Sequence, residues 1–350
     1  MAISDLTGVP AVTGRPVRTL LEWSRGLLDP ALREAVDSMP GSMRLIAGYH
    51  FGWLDERGKP AKESGGKAIR PALTLLSAQA AGGDPAGAVP AAVAVELAHN
   101  FSLLHDDVMD GDTTRRHRPT VWSVFGTPAA ILAGDALLTL AGDVLASSGS
   151  AVAAESARML SAAVLELVEG QSADLSFERR RDVGLAECVR MAERKTGALL
   201  GCACALGAAA AGSAAAGAGH LRSFGDRLGL GFQFVDDLLG IWGDPAATGK
   251  SIYSDLRSRK KSLPVVAALN SDTEAGREFG QLYHQPDPLT ADDLVRAARL
   301  VDAAGGRAWC RDRAADLLAD ALAELRACDP APRAEVELTA LAHLMVQRNG

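Results

Sequence analysis

The sequence predicts an all-α fold built as one large helical domain, and three observations carry that prediction. Apolar residues recur at helical spacing in every segment, and nowhere does apolar and polar alternation persist with β-branched enrichment. The chain holds 64 Ala and 36 Gly against 5% aromatic residues, a composition suited to helices whose backbones approach closely. No repeat of fixed period and no linker rich in Pro or charge divides it.

Taken in order, residues 1–16 read as a flexible tail and 17–350 as a single domain. Asp29-Pro30 offers an N-cap followed by a first-turn Pro, which predicts a helix from there to Leu45. Gly65-Gly66 breaks the chain before a helix starting near Pro71. Asp84-Pro85 precedes a longer helix over Val89 to Met109, and Thr127-Pro128 opens another to Leu145. Further helices are expected over 151–178, 183–211, 220–241, 262–269, 274–283, 291–303, 306–327 and 332–347.

Composition narrows the function. A net charge of −7 and a pI near 5.6 argue against a general nucleic-acid binder, because that affinity rests on clustered Lys and Arg. Five cysteines form no CxxC pair, which suits a reducing, cytoplasmic setting, and Met1 to Pro16 carries no secretory pattern. Gly197 to Gly219 is uncharged and long enough to span a bilayer, yet it is mostly Ala, Gly, Ser and Cys and would gain little in lipid. It is expected to form a buried core helix to about residue 211, then a turn before the next helix at His220, with no transmembrane segment.

The strongest chemical signal is His99-Asn-Phe-Ser-Leu-Leu-His105-Asp106-Asp107-Val-Met-Asp110. On a helix Asp106 and Asp110 share a face with His99, and carboxylates so placed repel unless a cation bridges them. Hard divalent cations completed by substrate phosphates supply such a bridge. A solvated acidic helix end is the competing reading of this cluster alone. A second cluster, Gln233-Phe-Val-Asp236-Asp237, lies in apolar sequence and can face the first across a bundle core. Cations stand where an anion site needs them: Lys67 and Arg70 after Gly65-Gly66, Arg115 and Arg116 after the first carboxylates, then Lys195-Thr196, Lys250 and Lys260.

In this order the motifs resemble the trans-isoprenyl diphosphate synthases, the polyprenyl synthetase family, over roughly residues 40 to 270. The resemblance implies a bundle around a deep central cavity, usually a homodimer, that joins isopentenyl diphosphate to an allylic diphosphate (dimethylallyl, geranyl or farnesyl). It implies Mg2+ held by Asp106, Asp110 and Asp236, with Asp107 and Asp237 assisting through water. Arg115, Lys195, Thr196, Gln233, Lys250 and Lys260 would hold the allylic diphosphate; Lys67, Arg70, His99 and Arg116 would hold isopentenyl diphosphate. Gly170-Gln171 and Asp174 match a helix that borders the cavity.

Two positions depart from the family pattern: Gly240 replaces a third Asp of the second cluster, and Ala68 a basic residue. Phe101, with small Ser102 beside it, stands where the family sets product length, and the resemblance implies geranylgeranyl diphosphate, with farnesyl diphosphate the nearest alternative. A class I terpene cyclase would not need the isopentenyl pocket. A non-catalytic partner subunit would be expected to lose the acidic or basic residues that this chain keeps.

Overall fold

The computed structural model describes residues 13–61, 66–213, 215–244 and 252–347. Helix α1 (Val17–Asp37) buries Leu20, Ser24, Leu28, Leu32 and Val36, one residue per turn along one stripe. Pro30 lies inside this helix, so the expected helix start at Asp29-Pro30 is corrected. An interior Pro costs about 3 kcal/mol. Burying Leu28 and Leu32, each at most 3% exposed, returns about 1.5–3 kcal/mol apiece and keeps the helix running. The chain breaks instead at Met39-Pro40, because a residue before Pro is disfavoured in helical geometry, and α2 (Gly41–His50) follows. Arg15, assigned from the sequence to the loose tail, is tied down by Glu337 through its backbone N–H and its guanidinium.

Helix α3 (Ile69–Ala80) starts after Ala68 in left-handed geometry. Asp84 caps the 3-10 turn Pro85–Ala88 that feeds α4 (Val89–Met109). A hairpin then pairs Thr114–Arg115 with Arg118–Pro119. A short α5 (Val121–Phe125), absent from the sequence expectation, joins α6 (Thr127–Ala146) through Gly126. Next comes α7 (Ala153–Glu178). The helix expected over 183–211 is divided: α8 (Leu185–Ala192), a π turn (Glu193–Gly197) and α9 (Ala198–Ala210). Helix α10 (Ala215–Trp242) begins earlier than the expected His220. The remainder comprises α11 (Ser254–Arg257), α12 (Leu263–Leu269), α13 (Glu274–Tyr283), α14 (Ala291–Ala303), α15 (Gly306–Ala327) and α16 (Pro332–Val346).

Helix α9 explains the uncharged Ala/Gly stretch. Every residue from Ala198 to Ala208 is buried, and the helix packs on α3, α4, α7 and α10. At Gly225 of α10 a Cβ would stand 2.5 Å from the Leu200 carbonyl oxygen, so only glycine lets these two backbones meet. One apolar cluster gathers α2, α4, α6 and the inner half of α7, a second gathers α10, α15 and α16, and a third surrounds α13 and α14. By length and composition, two helical stretches among the described residues could cross a membrane, Pro85–Met109 and Thr127–Ala146. The first is mostly buried core; α6 leaves Ile131 and Leu132 42% and 56% exposed.

Candidate active site

The C-terminal end of α4 splits its aspartates between two faces, because successive helical residues are rotated about 100°. Asp107 is 2% exposed and accepts from Arg115 Nε at 2.6 Å. The hairpin turn makes this possible: Arg116 and His117 both adopt positive φ, the pattern of a tight two-residue turn, which folds Arg115 back over α4. Asp106 and Asp110 lie on the other face, and their carboxylates form no hydrogen bond or ion pair among the described residues. Burial pushes Asp106 up to about 6, resisted by Lys195 and reinforced by Asp110. Burial also raises Asp107 to about 6 against the pull of Arg115, and raises Asp110.

On α10 the second cluster is a relay of hydrogen bonds. Thr196 Oγ1 donates to Gln233 Oε1 at 2.6 Å, Gln233 Nε2 donates to Asp237 Oδ1 at 2.7 Å, and Leu263 N donates to Asp237 Oδ2 at 2.8 Å. Burial moves Asp237 up to about 7 against the pull of Lys260. Both of its oxygens are occupied within the fold, so Asp237 aligns Gln233 and anchors the start of α12. Asp236 is half-buried, and its carboxylate is not engaged by a hydrogen bond or ion pair among the described residues. Gly240 has its own occupant: a Cβ there would fall 2.3 Å from Asp255 Oδ2, so the Asp255 carboxylate fills that space.

Two lysines join the clusters. Lys195 Nζ pairs with Asp174 Oδ2 at 2.6 Å and lies close enough to act on Asp106 and Asp110. Burial would lower the pKa of Lys260, but Asp174, Asp237, Asp255 and Asp236 raise it, so the ammonium stays protonated. The field of Lys260 bears on Asp110 of the first cluster and Asp236 of the second alike, which makes them one electrostatic site. Lys195 and Thr196 are aimed by the π turn, whose extra backbone residue per turn rotates them off the α8–α9 register. Gly170 of α7 packs directly on the Lys195 backbone. Lys250 lies outside the described residues.

A second, separate cationic pocket forms around Arg70, His99 and Arg116. Arg70 Nη1 donates to His99 Nε2 at 3.1 Å. Burial, with Arg70 and Arg116 alongside, holds His99 well below its usual pKa, so it is neutral. Burial lowers Arg70 to about 10, and its Nε–H is buried without a partner among the described residues. The Arg116 guanidinium lies against the Gly66 backbone, where a Cβ would come within 2.4 Å of Nη2, and Lys67 is exposed at the rim. Beneath this pocket sits a network the sequence reading missed. Buried Glu96 accepts from Asn100 Nδ2 at 3.1 Å, Asn100 Oδ1 meets His50 Nε2 at 3.0 Å, and Glu96 faces Arg70 and Arg116. Glu96 precedes His99 by one helical turn in apolar sequence, which was the available signal; His50 carried none.

Phe101 is 7% exposed, inside the apolar cluster of α4 and α6, and packs edge-to-face on His105 at 4.9 Å. Ser102 Oγ donates to the His99 carbonyl. Among the described residues no three His, Cys, Asp or Glu side chains close into a metal-binding group. The donors nevertheless fit a hard cation: Asp106, Asp110 and Asp236 offer carboxylate oxygens that make no hydrogen bond or ion pair among the described residues, and Mg2+ characteristically uses one or two carboxylates plus substrate phosphates.

The polyprenyl synthetase family model matches residues 52–301. The (2E,6E)-farnesyl diphosphate synthase of Mycobacterium tuberculosis is 46% identical over 336 residues, covering 95% of this chain and 94% of that protein. The geranylgeranyl diphosphate synthase of the same organism is also 46% identical, over 98% of this chain and 96% of its own length. The crystal structure of a Streptomyces coelicolor polyprenyl synthetase superposes with a TM-score of 0.90 at 49% identity, covering 95% of this chain and 100% of that one. A geranylgeranyl pyrophosphate synthase of Corynebacterium glutamicum, solved with isoprenyl diphosphate and magnesium, superposes with a TM-score of 0.83 at 26% identity, over 96% of this chain and 100% of that one. With two carboxylate clusters linked through Lys260 in an all-α bundle and this likeness along nearly its whole length, the chain belongs to the polyprenyl synthetase family and is a trans-prenyl diphosphate synthase, a prenyltransferase.

Proposed function

We propose that the protein condenses isopentenyl diphosphate with an allylic diphosphate in a Mg2+-dependent head-to-tail reaction and releases geranylgeranyl diphosphate. The observation that carries this reading is the pair of separate cationic sites flanking one set of carboxylates, since two diphosphates must be held at once. Lys195 and Lys260, with Arg115, Thr196 and Gln233, form the allylic side; Lys67, Arg70, His99 and Arg116 form the isopentenyl side. A terpene cyclase, which binds one diphosphate, has no use for the second site, and a silent partner subunit has no need of either. Mg2+, when held by Asp106, Asp110 and Asp236, would neutralise charge on the leaving diphosphate.

The residues of the chain then set the chemistry. Each unit-charge pair near 4 Å is worth about 4 kcal/mol at an effective dielectric of 20, so the two lysines alone can remove a large part of the ionisation barrier. The apolar cluster beneath Asp106 excludes water from the allylic cation. The isopentenyl double bond attacks that cation, and the departing pyrophosphate can take the released proton, so no protein base is required. Phe101 under the first cluster supports a twenty-carbon limit. Farnesyl diphosphate is the competing product, because relatives of both names are equally similar.

The exposed Ile131 and Leu132 of α6, with Leu165 and Val168 of the neighbouring α7, support a homodimer buried through this face. Five unpaired cysteines support a cytoplasmic setting. The deciding experiment incubates purified protein and Mg2+ with isopentenyl diphosphate and dimethylallyl, geranyl or farnesyl diphosphate, then chromatographs the dephosphorylated alcohols. A twenty-carbon alcohol is expected; a fifteen-carbon end product reassigns the chain length, and no elongation with any primer refutes the proposal.

A further inference from the structure

Gln171 lies on α7 and is 5% exposed, and neither its amide nitrogen nor its amide oxygen has a hydrogen-bond partner among the described residues. An orphaned amide in the interior is costly, and an aliphatic residue of the same shape would spare that cost. The position of Gln171 along α7 shows what could compensate. One turn towards the C-terminus, Asp174 forms its ion pair with Lys195 beside the carboxylates of α4. One turn towards the N-terminus, Leu167 is buried in the same apolar cluster as Phe101. The preceding residue, Gly170, touches the Lys195 backbone. Gln171 therefore lies along α7 between the charged Asp174–Lys195 pair and the apolar interior, the level at which the prenyl-transfer reading puts the reacting allylic carbons.

We infer that Gln171 is a further catalytic residue, whose amide oxygen stabilises the allylic cation. This rests on the prenyl-transfer reading above. In that step the allylic C–O bond breaks with its electron pair passing to the leaving diphosphate, and positive charge spreads over the allyl group. A neutral amide oxygen presents the negative end of a fixed dipole to this charge, takes no proton at neutral pH, and forms no ion pair with the neighbouring lysines. Sealed from solvent, the dipole acts at low dielectric and needs no reorganisation as the charge develops.

The test is Gln171→Leu, which keeps the volume and removes the dipole. It should melt at or above the wild-type temperature, because an orphaned polar group has been removed. Its kcat should fall on the order of a hundredfold, as when one preorganised dipole is taken from a charge-developing site. The KM for both substrates should stay within about twofold, because ground-state binding is untouched. Calorimetry supplies a readout independent of turnover: an ammonium analogue of the allylic cation, bound with pyrophosphate, should lose roughly tenfold in affinity, while an uncharged isosteric analogue should lose none. Wild-type kcat in Gln171→Leu, unchanged ammonium affinity, or parallel loss of melting temperature and activity would overturn the inference. An active wild type with an unchanged variant removes this inference alone; a wild type inactive with every allylic primer removes the functional reading and this inference together.

Discussion

The contact between α7 and the π turn makes Gly170→Ala the sharpest test of how Lys195 is placed. An added Cβ would stand 2.4 Å from Lys195 N, 2.8 Å from its Cα and 2.9 Å from its Cβ. Ordinary packing needs about 3.5 Å, so the Lys195 backbone must retreat by about 1 Å. Forcing a methyl into packed backbone costs about 1–3 kcal/mol, and the better helix propensity of Ala returns only about 0.5–1 kcal/mol. The net loss should lower the melting temperature by a few degrees. Activity should suffer more, because a misplacement of about 1 Å at a catalytic centre costs on the order of a hundredfold in rate. Steady-state kinetics against each substrate, with calorimetric melting, measures both. The control is Gly26→Ala on α1, where nothing lies within 4 Å; it should gain slightly in stability and leave turnover unchanged. If Gly170→Ala behaved like Gly26→Ala, the close-packed π turn would not be what aims Lys195.

Other perturbations separate the two diphosphate sites and the acid response. Arg70→Met removes a buried guanidinium whose charge-assisted hydrogen bonds are worth about 1.5–3 kcal/mol each, so KM for isopentenyl diphosphate should rise roughly tenfold to a hundredfold while that for the allylic substrate holds; equal rises in both would dissolve the distinction between the sites. Phe101→Ala should shift the product to longer chains on chromatography, and an unchanged distribution would place the floor elsewhere. Burial, with Arg116 nearby, lowers His50 to about 3, so it stays neutral in the fold while the unfolded chain protonates near its usual 6.5. Its contribution to stability is therefore complete above about 6.5 and lost as the pH falls towards 3. His50→Gln, which keeps a donor for Asn100, should lose less melting temperature between pH 7 and pH 5 than the wild type; equal losses would exclude His50 as the acid-sensitive group.

The legible parts of this protein are those that local sequence controls. Asp106 and Asp110 share a helical face by spacing alone, and the apolar flanks of Asp236 and Asp237 marked them as interior. Helix starts at Pro128 and near Pro332 were visible because Pro suits a first turn. Pro30 obeyed a different rule: burial of Leu28 and Leu32 outweighed the lost backbone bond, a term no local signal carries. The π turn at Glu193–Gly197 was equally hidden, since it answers to Gly170 on another helix.

The same division runs through the site. The sequence by itself determined the helical class, the two carboxylate clusters and the cations that would meet diphosphate, because residue type and spacing are enough to define charge and helix face. Only the tertiary structure decided which aspartates are used up within the fold: Asp107 on Arg115, and Asp237 on Gln233 and the start of α12, while the carboxylates of Asp106, Asp110 and Asp236 make no hydrogen bond or ion pair among the described residues. It alone brought Asp255 and Glu96 to the centre and set Asp174 against Lys195. The physical reason is that a charge becomes decisive through burial and distance to its partner, and both are properties of helices far apart in the chain that meet only when it is folded.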